Sequence, residues 1–421
     1  MREALLTLYR SRDLRYRILF TIGLLVLIRL IAHVPLPQID RSQLANFLNQ
    51  SQNQIFGVLS LFTGGSLARL SLDVMGVGPY ITASIIVQLL TKAIPKWEEI
   101  SKEGNSGREK LNQYTRYLTL PLAFVQGYAT ITLLKSQGVL PLLSNGDLVQ
   151  ILLTIAATSI FVMWLGELIS ERGIGNGISM IIALGIVGGL PQQITNTANI
   201  LQSGNYLNFF VVLALLVLTI VVIVLVNEAE RKVPITYARR AIASPGAVDS
   251  YLPLRVNIAG VVPIIFALSF LTFPAIIARF LSTAKSDWIV NFANWITNFL
   301  ANHTYYGILY FLLVLIFTFF YTYIIFQPAQ IADNLQKQGS FIPGVRPGTE
   351  TTRFLGYTIS RITVMGALFL AVIAILPIIT EQVLNVPTLV IGGTSILIVV
   401  SVVIETSRQL SSQIVMHRYD S

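Results

Sequence analysis

Residues Ser60 to Leu90 read SLFTGGSLARLSLDVMGVGPYITASIIVQLL, and the fold follows from how this stretch differs from the rest of the chain. Its first half is short, glycine-broken by Gly64 and Gly65, and carries the charged Arg69. Its second half, Val74 to Leu90, is apolar over nearly the length of a bilayer core. Met75-Gly76-Val77-Gly78-Pro79 marks the joint, because paired glycines free the backbone and proline suits the first turn of a new helix. A half-helix that enters the membrane region and turns back is tolerated only where protein or a water-filled cavity surrounds it. The stretch therefore implies a cavity, with Thr63 to Leu72 lying in it.

Outward from this point the chain is strongly apolar: 54% of its 421 residues are hydrophobic, and only 12% are charged. A soluble domain carries roughly 25% charged residues, so the composition is that of a polytopic membrane protein. Runs of about 20 apolar residues can span a bilayer. Ten such runs fall near Ile18–Val34, Val74–Leu90, Tyr117–Leu134, Leu148–Ile169, Ile178–Leu190, Leu207–Val226, Ile258–Phe280, Ile308–Phe326, Ile362–Ile379 and Leu389–Ile404. The fifth is short unless it begins inside the glycine-rich GIGNGIS of residues 173–179. The basic opening MREALLTLYRSRDLRYR has no small-residue cleavage site behind it, so no removable signal peptide is expected.

Lys and Arg set the orientation. With the N-terminus inside, 23 of the 29 basic residues fall in cytoplasmic segments and 5 outside, while Arg29 lies within the first span. That bias predicts ten transmembrane helices with both termini cytoplasmic. Five spans on each side of Pro191–Asn205 would give two halves, residues 1–200 and 201–421, of inverted orientation, with a working site at their interface. The cytoplasmic loops 227–255 and 327–361 are long, basic and rich in Pro and Gly. Basic loops serve topology first, but loops of this length more often carry function. A partner docking there would meet positive charge, which suits ribosomal RNA, anionic lipid or an acidic protein face.

Several chemistries are missing. The chain has no cysteine, hence no disulfide and no thiolate metal site. His33, His303 and His417 are scattered, and no HExxH or GxxxxGK[ST] occurs. Neither cofactor nor metal is expected, nor is DNA a partner. Ionisable residues within the spans are nearly limited to Arg29 and Glu167, and the latter is expected to reach water at a cytoplasmic end. Such scarcity weighs against a coupled transporter, which uses buried charges. A membrane-embedded enzyme would need paired catalytic residues, and none are visible.

A resemblance sharpens these expectations. The opening stretch is followed by Lys102-Glu103-Gly104-Asn105-Ser106-Gly107-Arg108 and Gln113-Tyr114-Thr115-Arg116-Tyr117. Then come Met163-Trp164-Leu165-Gly166-Glu167 and Glu171-Arg172-Gly173-Ile174-Gly175-Asn176-Gly177-Ile178-Ser179. Val256-Asn257-Ile258-Ala259-Gly260-Val261-Val262-Pro263 follows, and later Ala332-Asp333-Asn334-Leu335, Pro343-Gly344-Val345-Arg346-Pro347-Gly348 and Gly392-Gly393-Thr394-Ser395. In that order these segments resemble the SecY family, the channel-forming subunits of the Sec translocon. The 227–255 loop looks shorter than in many bacterial members.

The resemblance implies an all-α hourglass channel of two five-helix halves, opening across the membrane and sideways into lipid. Its cargo would be signal peptides, unfolded secretory polypeptides and membrane-protein helices. The constriction would be Val77, Ile81, Ile178, Ile182, Ile265 and Ile398; Val77 is smaller than the usual isoleucine. The pairs 77/81 and 178/182 are each four residues apart and so share a helix face. A ring of branched aliphatic side chains resists ions by dewetting yet yields to a passing chain. The segment Thr63, Gly64, Gly65, Ser66, Leu67, Ala68, Arg69, Leu70, Ser71 and Leu72 would be the plug, although the residues alone fit a re-entrant packing helix equally well. Gln88, Gln126 and Asn257 would line the lateral gate. Arg346, Arg239 and Arg240 would dock the SecA ATPase or the ribosome. SecE-like and SecG-like small membrane subunits are the implied partners. A bacterial plasma membrane and a thylakoid membrane both fit.

Overall fold

A computed structural model describes residues 11–36, 70–136, 144–202, 206–237, 250–282, 286–384 and 393–419. Residues 63–69 of the expected plug, with Arg239 and Arg240, lie outside the described residues.

The chain runs α1 (Arg12–Ile31), α2 (Gly78–Ala93), α3 (Pro95–Lys102), α4 (Asn105–Ser136), α5 (Asn145–Arg172), α6 (Gly177–Gln202) and α7 (Tyr206–Glu228). Two strands follow, β1 (Glu230–Tyr237) and β2 (Ser250–Arg255). Then come α8 (Val262–Leu281), α9 (Asp287–Ala301), α10 (His303–Ile325), α11 (Pro328–Lys337), β3 (Ser340–Phe341), α12 (Thr349–Leu384) and α13 (Gly393–Tyr419). Each of the ten apolar runs overlaps one long helix, namely α1, α2, α4 to α8, α10, α12 or α13. Among the described residues, four segments are long and apolar enough to cross a membrane by length and composition: Asn145–Arg172, His303–Lys337, Thr349–Thr380 and Thr394–Val415. Helices suit this medium because they satisfy their own backbone groups. Their threonines do likewise: Thr91, Thr119 and Thr318 each donate to the carbonyl four residues back, at 2.7, 2.7 and 2.6 Å.

Within the first half, α2 packs on α4, α4 on α5, and α5 on α6 and α1. Within the second, α10 packs on α12 and α8, and α7 on α13. Contact between the halves concentrates in two places: α8 lies against α2 and α4, and α6 lies against α13 and α7. The first seam joins segments remote in sequence. The second includes the covalent connection between the halves.

The glycine-rich stretch 173–177 shows why the fifth run is helical from its outset. Asn176 caps α6 by accepting from the Ser179 amide at 3.1 Å, and the Gly177 amide donates to Ser170 Oγ at 2.8 Å. The Ile174 amide donates to Thr21 Oγ1 at 3.1 Å, which ties the turn to α1. Gly175 has a left-handed φ of 84°. A Cβ on Gly177 would strike the Gly166 carbonyl oxygen of α5.

The structure departs from an all-α fold in the two long basic loops. β1 and β2 pair antiparallel from Glu230↔Arg255 to Ile235↔Ser250, and β1 also pairs with β3 through Thr236↔Phe341 and Tyr237↔Ser340. The two long loops are therefore one body. Val233, Leu254, Ile342, Leu355 and Ile359 form a small core beneath it. The signal was legible: Val233 and Ile235 alternate with exposed Lys232 and Pro234, a period of two.

Replacing Gly177 by Val should destabilise the α5–α6 hairpin by about 1–3 kcal/mol through overpacking. Gly23→Ala, where an added Cβ meets nothing within 4 Å, serves as the control. Thermal unfolding of the purified protein in detergent checks both; equal melting temperatures would contradict the close approach.

Candidate functional site: an apolar waist between two halves

Between α1 and α2 the described chain resumes at Leu70, which holds a left-handed φ of 42° without being glycine. Two backbone bonds lash this piece to the end of α1: Leu36 N to Leu70 O at 2.9 Å and Leu72 N to Val34 O at 2.8 Å. Gly76 then turns the chain at φ 52°, Val77 precedes the first turn of α2, and the Ile81 amide donates to Val77 O at 3.0 Å. Only the Leu70–Leu72 end of the expected plug is described, and it is held by α1 rather than free-standing.

Val77, Ile81, Ile182, Ile265 and Ile398 are all buried and belong to one hydrophobic cluster, and the half-buried Ile178 packs against it. These six come from α6, α8, α13 and the start of α2, two helices from each half. Leu165, Ile264 and Leu397 fill the same cluster and were not singled out by sequence. Each is an ordinary apolar residue, so no local signal separates it from its neighbours.

Asp73 stands out among these groups. Its side chain is 5% exposed, and Oδ1 meets no hydrogen-bond partner among the described residues. Burial alone pushes its carboxyl from 3.8 up to about 7.

The three polar residues expected along the lateral seam are placed unequally. Gln126 of α4 donates to Thr82 Oγ1 of α2 at 3.2 Å, which joins the two first-half helices that face α8. Gln88 donates to Ser84 Oγ on its own helix at 3.1 Å, and its buried Oε1 is unpartnered among the described residues. Asn257 differs from the expectation. Its Nδ2 donates to Asn227 Oδ1 at 2.8 Å, Asn227 Nδ2 donates to Ser401 Oγ at 2.8 Å, and Arg408 Nη2 donates to Asn227 O at 3.1 Å. A Cβ on Gly366 would also press on the Val256 carbonyl and approach Asn257 Cα at 3.9 Å. Asn257 therefore bonds to α7 and packs near α12, because it precedes the first residue of α8 instead of riding on its gate face.

The two ionisable residues within spans are both engaged. Arg29 Nη2 of α1 donates to Gly188 O of α6 at 3.0 Å, where a side chain on Gly188 would collide with the guanidinium. Glu167, expected to reach water, is partly exposed at 15% and pairs with the 45%-exposed Arg116 of α4 at 2.8 Å. At the loop tip, Arg346 is exposed in a turn set by Gly344 (φ 81°) and Gly348 (φ 99°), with its carbonyl accepting from Thr351 Oγ1 at 2.9 Å. No cluster of His, Cys, Asp or Glu that could hold a metal occurs among the described residues.

These features define a multi-pass helical membrane protein in which α2, α6, α8 and α13 share one large apolar cluster. The SecY family profile matches residues 71–407, and the chain belongs to the SecY family. It is 39% identical to the protein translocase subunit SecY of Corynebacterium glutamicum, over 99% of each chain. It is likewise 39% identical to that of Mycobacterium tuberculosis, over 100% of this chain and 99% of the relative. Among solved structures, a protein-conducting channel superposes with a TM-score of 0.65 at 19% identity, over 94% of this chain and 91% of that one. Sec61 in the canine ribosome-channel complex superposes with a TM-score of 0.64 at 20% identity, again over 94% and 91%.

Asp73→Asn should raise stability at neutral pH. The raised carboxyl favours its neutral form in the native state, so wild-type stability is full below pH 3.8 and falls as pH rises to about 7. The difference between variant and wild type should therefore vanish near pH 4 and be constant above 7. Melting in detergent across that range measures it; a pH-independent difference would contradict the buried acid.

Proposed function

We propose that this chain is the channel-forming subunit of a protein translocase, which passes unfolded secretory polypeptides across the membrane and releases apolar helices sideways into lipid. The observation that carries this reading is the gathering of the six branched aliphatic residues into one cluster between the halves of a SecY-family chain. Such a waist is too apolar to hold ions yet yields without breaking any polar bond. The work of translocation comes from a bound partner, and the chain itself is no enzyme.

Ten helices cross the bilayer in two inverted halves, residues 1–200 and 201–421, enclosing an hourglass channel. Both termini face the cytoplasm, as the distribution of Lys and Arg requires. Residues 63–72 act as the plug and leave their seat when a chain enters. The seam between α8 and the α2–α4 pair is the lateral gate, with Gln88 and Gln126 on its first-half side. Membrane hydrogen bonds of that kind are worth about 1 kcal/mol, which suits a seam that must part. Arg346, with Arg239 and Arg240, docks the SecA ATPase or a ribosome, and SecE-like and SecG-like subunits clasp the outside. The joined β1–β2–β3 sheet gives that docking surface a rigid base.

Ile398→Asn should loosen the closed waist and raise ion conductance of the reconstituted complex about tenfold, read in planar bilayers. An unchanged conductance would remove Ile398 from the constriction. Arg346→Glu should slow SecA-driven preprotein import into vesicles about tenfold or more, with thermal stability unaltered. Normal import would refute the docking role.

A further inference from the structure

The connection between α8 and α10 contains α9, Asp287–Ala301, whose surface divides into three stripes. Successive residues step about 100° round a helix. Ala293 and Leu300 form a buried stripe, by which α9 packs on α8 and α10. Asn291, Asn294 and Asn298 form an exposed polar stripe on the other side. Between them runs an aromatic stripe of Trp288, Phe292, Trp295 and Phe299, at spacings of four, three and four residues.

The rings in this stripe stack into a ladder. Centroids are separated by 6.2 Å from Trp288 to Phe292, 6.3 Å from Phe292 to Trp295 and 5.7 Å from Trp295 to Phe299. The ladder then crosses to the next helix, where Phe299 and Tyr305 lie parallel within 2° at 5.3 Å. Trp288 is 76% exposed and Trp295 62%. Tyr305 belongs to the first turn of α10, a helix long and apolar enough to cross the membrane, and Ile308 continues the same exposed apolar surface one turn on.

We infer that α9 lies in the plane of the membrane interface, its aromatic stripe seated in the lipid at the boundary of headgroups and acyl chains. The occupant of the stripe is the bilayer itself, because the ladder is continuous with the lipid-facing surface of α10 and ends at that helix's rim. Trp and Tyr prefer this depth, where an apolar ring and a polar edge are both satisfied. The three-stripe arrangement fits only there: asparagines reach water, rings reach lipid, and aliphatic residues reach protein. The lipid anchor so formed holds the end of α8, one of the helices of the seam. Its assignment to the outer leaflet rests on the orientation proposed above; its interfacial depth does not.

The chain has four tryptophans, so Trp97→Phe with Trp164→Phe leaves the emission of Trp288 and Trp295 alone. The full-length protein, with whatever subunits co-purify, is reconstituted into phosphatidylcholine–phosphatidylglycerol vesicles containing brominated phosphatidylcholine. Bromine near the carbonyls should quench the emission by about half, bromine near the chain ends clearly less, and aqueous iodide little. Quenching by iodide with none by bromolipid would put the rings in water. Insensitivity to both would put them under a partner subunit or a second copy. Stronger quenching by the deeper bromines would bury the helix in the core. Each of these overturns the inference. Should the double variant fail to fold, the difference between wild type and Trp288→Phe with Trp295→Phe supplies the same signal. Asn291→Cys with a membrane-impermeant maleimide reports the side separately, so an inverted orientation would show without disturbing the depth result.

Discussion

Hydrocarbon supplies no hydrogen bonds, and that absence governs this chain from end to end. Every segment that meets lipid must close its own backbone, and the helices do so. The exception is the stretch entering α2, where Leu70 and Gly76 turn the backbone through left-handed conformations. It is tolerated because the turn that follows α1 accepts and donates its backbone bonds, through Val34 and Leu36, and because Leu70, Val74 and Met75 are buried. A non-helical piece so enclosed needs a ring of helices around it, and the two-half arrangement provides one.

The halves meet at two seams. At one, α6 and α7 follow one another in sequence and α13 closes on both; the Arg408–Glu228 pair at 2.8 Å and the Asn257–Asn227–Ser401 chain beside it lie within the second half. At the other, α8 meets α2 and α4, and the one bond drawn between helices beside it, Gln126 to Thr82, lies within the first half. Packing between apolar faces gains little over packing against lipid, so polar bonds weigh heavily in deciding which contact holds. The polar bonds named here lie inside one half or the other, while apolar side chains from both halves share one cluster.

Water imposes the opposite logic on the two long basic loops. There the hydrophobic effect works again, and the chain builds a small conventional core of Val233, Leu254, Ile342 and Leu355 beneath a three-stranded sheet. Pairing β1 with β3 makes one platform of two loops about a hundred residues apart in sequence. Exposed Arg231, Lys232 and Arg255 lie on the strands of that platform, and exposed Arg346 lies in the second of the two loops it joins.

Much of this protein was decided by local properties. Apolar length placed the ten long helices, the glycines of residues 173–177 marked a tight hairpin, and the aliphatic residues singled out by the resemblance fall within one large apolar cluster. What composition and periodicity left open were partners. Glu167 meets Arg116 at a partly exposed site; Asn257 could have faced the α2–α4 pair and instead meets Asn227; the loop at 227–255 could have stayed irregular and instead pairs with a strand beyond α11. A span is fixed by the free energy of moving its side chains out of water, a sum over neighbours in sequence. Which face of a span meets which other span depends on the rotation of whole helices, and lipid and leucine are too alike for hydropathy to record it.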